Sequence, residues 1–195
     1  YYMDGLNCDP FTFDMECREL NALYHKNESY DEIKSHHYII SFDPKDKEEN
    51  RLTGEQAQQI GLEYARKNFP GHQDLVCTHM DGHNESGNIH VHIVINSLRK
   101  HNVARQDFME RTCDSRAGYK HHVSKDYLIH QTQSLMALCR REHLHQVDLL
   151  APAEKKITDR EYHVKHNGQQ KLDERNRQIL EDGLTPRNTT FQTHM

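Results

Sequence analysis

The chain has 195 residues, the size of one ordinary domain, with 25 Lys and Arg against 30 Asp and Glu, a formal charge of −5, and 17 histidines. Hydrophobic residues make up 34% and tryptophan is absent, so the core is modest and much of the chain must lie in solvated helices or loops. No apolar run nears the ~20 residues of a membrane span and no leader pattern opens the chain, which excludes a membrane-inserted protein; five dispersed cysteines without a C-x-x-C pair exclude a thiolate zinc site and fit a reducing cytoplasm.

Taken in chain order, Asp9-Pro10 reads as an N-cap and first helical residue, opening an amphipathic helix to about Lys26 with Phe13, Cys17, Leu20 and Tyr24 near helical spacing. His36 to Phe42, β-branched and aromatic, predicts a strand ending at Asp43-Pro44. Thr53-Gly-Glu-Gln56 fits a capping box, and the helix it opens runs to Asn68 before Pro70-Gly71. Strands over 74–80 and 89–96, joined by a polar loop containing glycine, predict a hairpin. Ser124 caps a helix to about Arg141, and Thr158-Asp-Arg-Glu161 caps a long polar helix ending near Gly183. With Leu149 to Pro152 as linker, the expected organisation is a core over 1–148 and a helical appendage over 153–195. The fold class is α+β, an antiparallel sheet with helices on one face.

The stretch that carries chemistry is Thr78 to Asn96. Alternate strand residues face opposite ways, so Ile89, Val91, Ile93 and Ile95 form one row and His90, His92, Val94 and Asn96 the other. Two imidazoles about 7 Å apart along a strand can converge on one ion. His79, at the end of the preceding strand, is placed to supply a third ligand across the hairpin, and Asp81 or His83, in the loop, to supply a fourth contact or orient a ligand. Three imidazoles leave coordination positions open for Lewis-acid chemistry on a phosphate or carbonyl oxygen, and imidazole nitrogen favours Zn, Mn, Fe, Co, Ni or Cu over Mg.

Charge is segregated. Residues 1–50 carry 5 basic and 12 acidic side chains, whereas residues 97–145 carry 9 against 5. A polyanion can be met on the second segment although the whole chain is acidic.

His79-x-Asp81, then His90-Val-His92 and Asn96, resembles the third motif of the relaxase/mobilisation nuclease family, the HUH endonucleases. Gly5-Leu-Asn-Cys8 resembles its Asn-Cys element, His37 to Phe42 its first core strand, Thr53 to Asn68 the following helix, and Arg175 to Arg187 the region after the nuclease core in relaxases of Gram-positive conjugative elements. The resemblance implies a ferredoxin-like or palm-like core that nicks single-stranded DNA at a transfer origin. A tyrosine there attacks the phosphate and stays joined to the 5′ end, and a divalent metal held by three histidines (Mn or Mg in use; Zn, Ni or Co as alternatives) polarises the phosphate. Carried over, the ligands are His79, His90 and His92, with Asp81 a base or orienter; the loop between His79 and His90 is longer than the family's spacing, so His83 competes with His79 for the third position. The family tyrosine lies further upstream of the Asn-Cys element than Tyr1 or Tyr2, so either of these is the nucleophile or it is missing. Arg99, Lys100, Arg105, Arg111, Arg116 and Lys120 are expected to track the DNA backbone, with His36 or His37 beside the metal across the sheet. The implied partners are relaxosome accessory and coupling proteins, and the implied setting is the bacterial cytoplasm with export alongside the DNA. Two alternatives stay open: a DNA-binding relaxase fragment without its nucleophile, and an unrelated histidine-ligated metal hydrolase.

Overall fold

A computed structural model describes residues 2–80, 87–152 and 158–191. They fall into two units, Tyr1–Leu150 and Ala151–Met195. The first is α+β, built on four antiparallel strands: β1 (Tyr2–Leu6), β2 (Ser35–Ser41), β3 (His72–His79) and β4 (His90–Arg99), in the order β1-β3-β4-β2. The hairpin lies at the centre, and the two strands from earlier in the chain form its flanks.

The expected alternation in β4 is what the sheet uses. Ile89 is 2% exposed and Val91, Ile93 and Ile95 are fully buried. They pack with Ile40, Val76, Ala57, Ile60, Tyr64, Ala65, Phe69 and Tyr127 in one core beneath helices α3 (Gly54–Asn68) and α4 (Lys125–Arg141). Burying each of these aliphatic side chains is worth about 1.5–3 kcal/mol, which is why the row is fixed so strongly to this side. Gly61 is where α3 comes closest, since a Cβ there would meet the Cγ1 atoms of Val91 and Val76. The capping box that opens α3 is closed in both directions, with Thr53 Oγ1 accepting from the Gln56 amide and Gln56 Oε1 from the Thr53 amide. Ser124 caps α4 by accepting from the Tyr127 amide.

Four local expectations change. Helix α1 begins at Phe13 and ends at Leu23 (Phe13–Leu23), not at Pro10 and Lys26. Asp9 does not cap it; its carboxylate accepts from the Phe11 amide in a turn, while its own amide donates to Glu16. Helix α2 (Pro44–Glu48), capped by Asp43, follows β2 where only a strand end was expected. Strand β1 was also not anticipated, and β4 runs three residues past Asn96 because Ser97, Leu98 and Arg99 gain main-chain partners in the segment 118–121.

In the second unit, α5 (Asp159–Glu181) opens with the expected capping box at Thr158 and Glu161. The following segment turns back along it, with Phe191 against Gly168 and its amide donating to Gln169 Oε1.

Candidate metal centre and its surroundings

The strand register assembles the site. His79 of β3 is directly opposite His90 of β4, and Cys77 opposite His92, so His79, His90 and His92 stand on one face of the central hairpin. Their ring centroids are 5.2 Å (His79–His90), 4.8 Å (His79–His92) and 4.9 Å (His90–His92) apart. One nitrogen from each ring lies within 4.8 Å of the others, close enough to hold a single ion. All three side chains are half-buried, reachable from solvent yet fixed by the sheet. Burial, together with the neighbouring rings of His37, His79 and His90, pulls the His92 pKa below the ordinary histidine value. A neutral imidazole with a free lone pair is the form that binds a cation, so the donor set fits a divalent metal.

A fourth imidazole adjoins the three. His37, opposite Val94 on edge strand β2, puts its Nε2 2.8 Å from Nδ1 of His92, with the two rings stacked at 5.0 Å.

Other expected residues go elsewhere. Asp81 and His83 lie outside the described residues, as does Tyr1. Tyr2 pairs with Thr78 and its ring lies against Gly54 at the start of α3, so it occupies the face opposite the three histidines.

The basic segment starts at the far end of β4, roughly 30 Å from His90 by the rise of an extended strand. Arg99 is 6% exposed, its charge facing Asp114 and Asp74. Lys100 donates to the Asn7 carbonyl and pairs with Glu16 at 3.1 Å; Arg105 donates to the carbonyls of Met109 and Glu110. Arg111 pairs with Asp114 at 2.8 Å and Lys120 with Glu32 at 2.7 Å, while Arg116 is exposed. Most of these cations thus hold loops together.

A groove that residue counting did not reveal runs beside the histidines. About 520 Å³ in volume, it lies between α1 and the sheet face carrying Val94 and Asn96, the residues that continue the row of His90 and His92. Phe13, Arg18, Lys26 and Lys34 line it together with Asp14 and Glu28; Arg18 pairs with Asp14 at 3.0 Å, Lys26 donates to the Gly118 carbonyl and Lys34 to the Ser29 carbonyl. These three cations sit in the most acidic quarter of the sequence, where a segment average conceals them.

Among the described residues, no helix is long and apolar enough to cross a membrane. Residues 1–144 match the family described as relaxase, MobA/VirD2-like, nuclease domain. Three curated relatives from Staphylococcus aureus, each named Protein rlx, are 42% identical over 94 residues (48% of this chain, 26% of the relative), 38% over 94 (48% and 25%) and 32% over 117 (56% and 33%). The chain thus covers a third or less of the length of these relatives. No solved structure matches it.

Proposed function

Because this chain belongs to the MobA/VirD2-like relaxase nuclease family, we propose that it is a metal-dependent, strand-specific endonuclease and strand transferase acting on single-stranded DNA at a transfer origin. The observation that carries the reading is the convergence of His79, His90 and His92 on one exposed sheet face. A divalent cation bound there would polarise a phosphate oxygen and offset the charge that develops at phosphorus. The residues of this chain do the rest. The hairpin holds three imidazoles in a fixed triangle, so nothing need reorganise as the phosphate arrives. The groove beside α1 continues the same face and supports a path for the strand, with Phe13 placed for stacking and Arg18, Lys26 and Lys34 for phosphates once these exchange their present partners within the chain. Asp81 is the proposed base or orienter, with His83 as the other donor from that loop. Of the cations first expected to meet DNA, exposed Arg116 remains the best candidate. Relaxosome proteins are the proposed partners, and the bacterial cytoplasm the proposed setting.

Cutting needs a tyrosine oxygen in line with the phosphate. Tyr1 stands as its candidate within this chain, because the Tyr2 ring faces α3. That placement also favours a second reading, a relaxase domain that binds DNA and metal without cutting.

The test is incubation with Mn²⁺ and end-labelled single-stranded oligonucleotides tiling the DNA that flanks its own gene, read on a denaturing gel. The expected result is a covalent protein–DNA band that is lost in Tyr1→Phe and kept in Tyr2→Phe. Salt-sensitive binding with no band supports the second reading, and absence of both binding and band overturns the nuclease.

A further inference from the structure

His37 makes a specific contact that the three-histidine site does not by itself require. Its Nε2 and the His92 Nδ1 are 2.8 Å apart. At that separation one nitrogen must carry the hydrogen and the other the lone pair, since two lone pairs or two hydrogens would repel. His37 is not among the residues whose nitrogens converge, so it is a partner of His92 and not a further corner of the site. With Nδ1 engaged, His92 has only Nε2 left to offer an ion.

We propose that His37 is a positioning residue: its Nε2 accepts the Nδ1–H of His92, fixing the tautomer that leaves the His92 Nε2 lone pair for the metal. His37 then carries its own ring hydrogen on Nδ1. The inference rests on His79, His90 and His92 being metal ligands, and it deepens that reading by naming what orients one of them. An imidazole free to choose between tautomers presents the wrong nitrogen part of the time, and a neighbour that removes that choice typically strengthens metal binding 10–100-fold. Strand pairing makes the device rigid: Tyr38 pairs with Ile93 and Ile39 with His92, so the His37 backbone is locked in register beside its partner. His37 itself is exposed, so replacing it removes no core packing.

The experiment compares the wild-type chain with His37→Ala and His37→Gln. Glutamine is the conservative variant, because its Oε1 reaches about as far as histidine Nε2 and can accept the same hydrogen. Two readouts are taken at pH 8: Co²⁺ affinity by titration, and the ¹⁵N imidazole spectrum of the metal-free protein. The expected result is an Nδ1–H tautomer for His92 in the wild type and in His37→Gln. In His37→Ala the tautomers should be mixed and Co²⁺ bound 10–100-fold more weakly, with an unchanged melting temperature. Equal Co²⁺ affinity and an unchanged His92 spectrum in His37→Ala would overturn the proposal while leaving the metal site standing. Failure of the wild type itself to bind Co²⁺ would instead overturn the metal reading, and this inference with it.

Discussion

At the scale of single residues, the site depends on side chains whose replacement separates binding from folding. His90 and His92 are half-buried on a face that carries no core, whereas Val91 between them is fully exposed to the core and not to water. Changing both histidines to alanine should abolish divalent-metal uptake, measured by elemental analysis after dialysis, while shifting the melting temperature by no more than a few degrees. Val91→Ala should do the reverse: a cavity beneath α3 costing on the order of 1–3 kcal/mol in urea unfolding, with metal uptake retained. The two imidazoles on β4 were legible because strand alternation needs only the order of residues. The place of His79 directly opposite His90 was not, because it is a property of strand pairing and not of spacing; His83 lies outside the described residues. The role of His37 was half legible. Its position near the metal follows from the neighbouring strand, but the bond to His92 requires the register between β2 and β4.

At the scale of elements, the capping boxes and hydrophobic periods located α3, α4 and α5 because each carries its own start signal in the sequence. Strand β1 has no such signal. Its five residues are mostly exposed and owe their conformation to pairing with β3, a partner some seventy residues away. The late start of α1 has a similar cause, since Asp9 uses its carboxylate in a local turn that competes with capping. Helix α3 allows a sharper test of what holds layers together. In an isolated helix Gly→Ala stabilises by about 1 kcal/mol, so propensity alone predicts a gain for Gly61→Ala. Here the new Cβ would press on two branched side chains of the core, and overpacking typically costs 1–3 kcal/mol. The contact term is the larger, so Gly61→Ala should lower the urea midpoint, and a raised midpoint would mean that α3 sits further from the sheet than described.

At the scale of the whole molecule, the histidines outside the site have an energetic consequence. His72 and His121 are buried side by side, with rings 5.3 Å apart; burial, with nearby Arg99 acting on His72 and His72 acting on His121, depresses their pKa values to about 3 and about 2. In the unfolded chain both take up a proton near pH 6.5, so unfolding binds protons below that pH and stability falls with acid. Buried Asp74 works the other way: desolvation raises its pKa well above the ordinary value, so the native state is the better proton binder there. The two histidines outnumber the one carboxyl, and burial of His36 and His130 acts in the same direction, so the net effect is a loss of stability as the pH falls below 6.5. Urea midpoints measured across this range should decline as pH is lowered, and His121→Gln should flatten the decline. The charge pattern also reads differently over the whole molecule. The basic segment that invited a nucleic-acid partner is largely committed to internal ion pairs, and the groove beside the histidines draws its cations from the acidic quarter, where Arg18, Lys26 and Lys34 also have partners within the chain.

The opposition of His79 and His90 across the central hairpin has one further implication. The alignment is set by the main-chain ladder, so the number of residues joining the two strands is not a coordinate of the site. Lengthening or shortening that connection therefore leaves His79 opposite His90, although it moves Asp81 and His83. Deleting one residue inside β3, by contrast, would turn a histidine towards the core and exchange a metal donor for a buried, unsatisfied ring. Inserting a residue in the connection should therefore leave His79 and His90 able to take up a divalent ion together, whereas a one-residue deletion within β3 should abolish that uptake, measured by Co²⁺ titration.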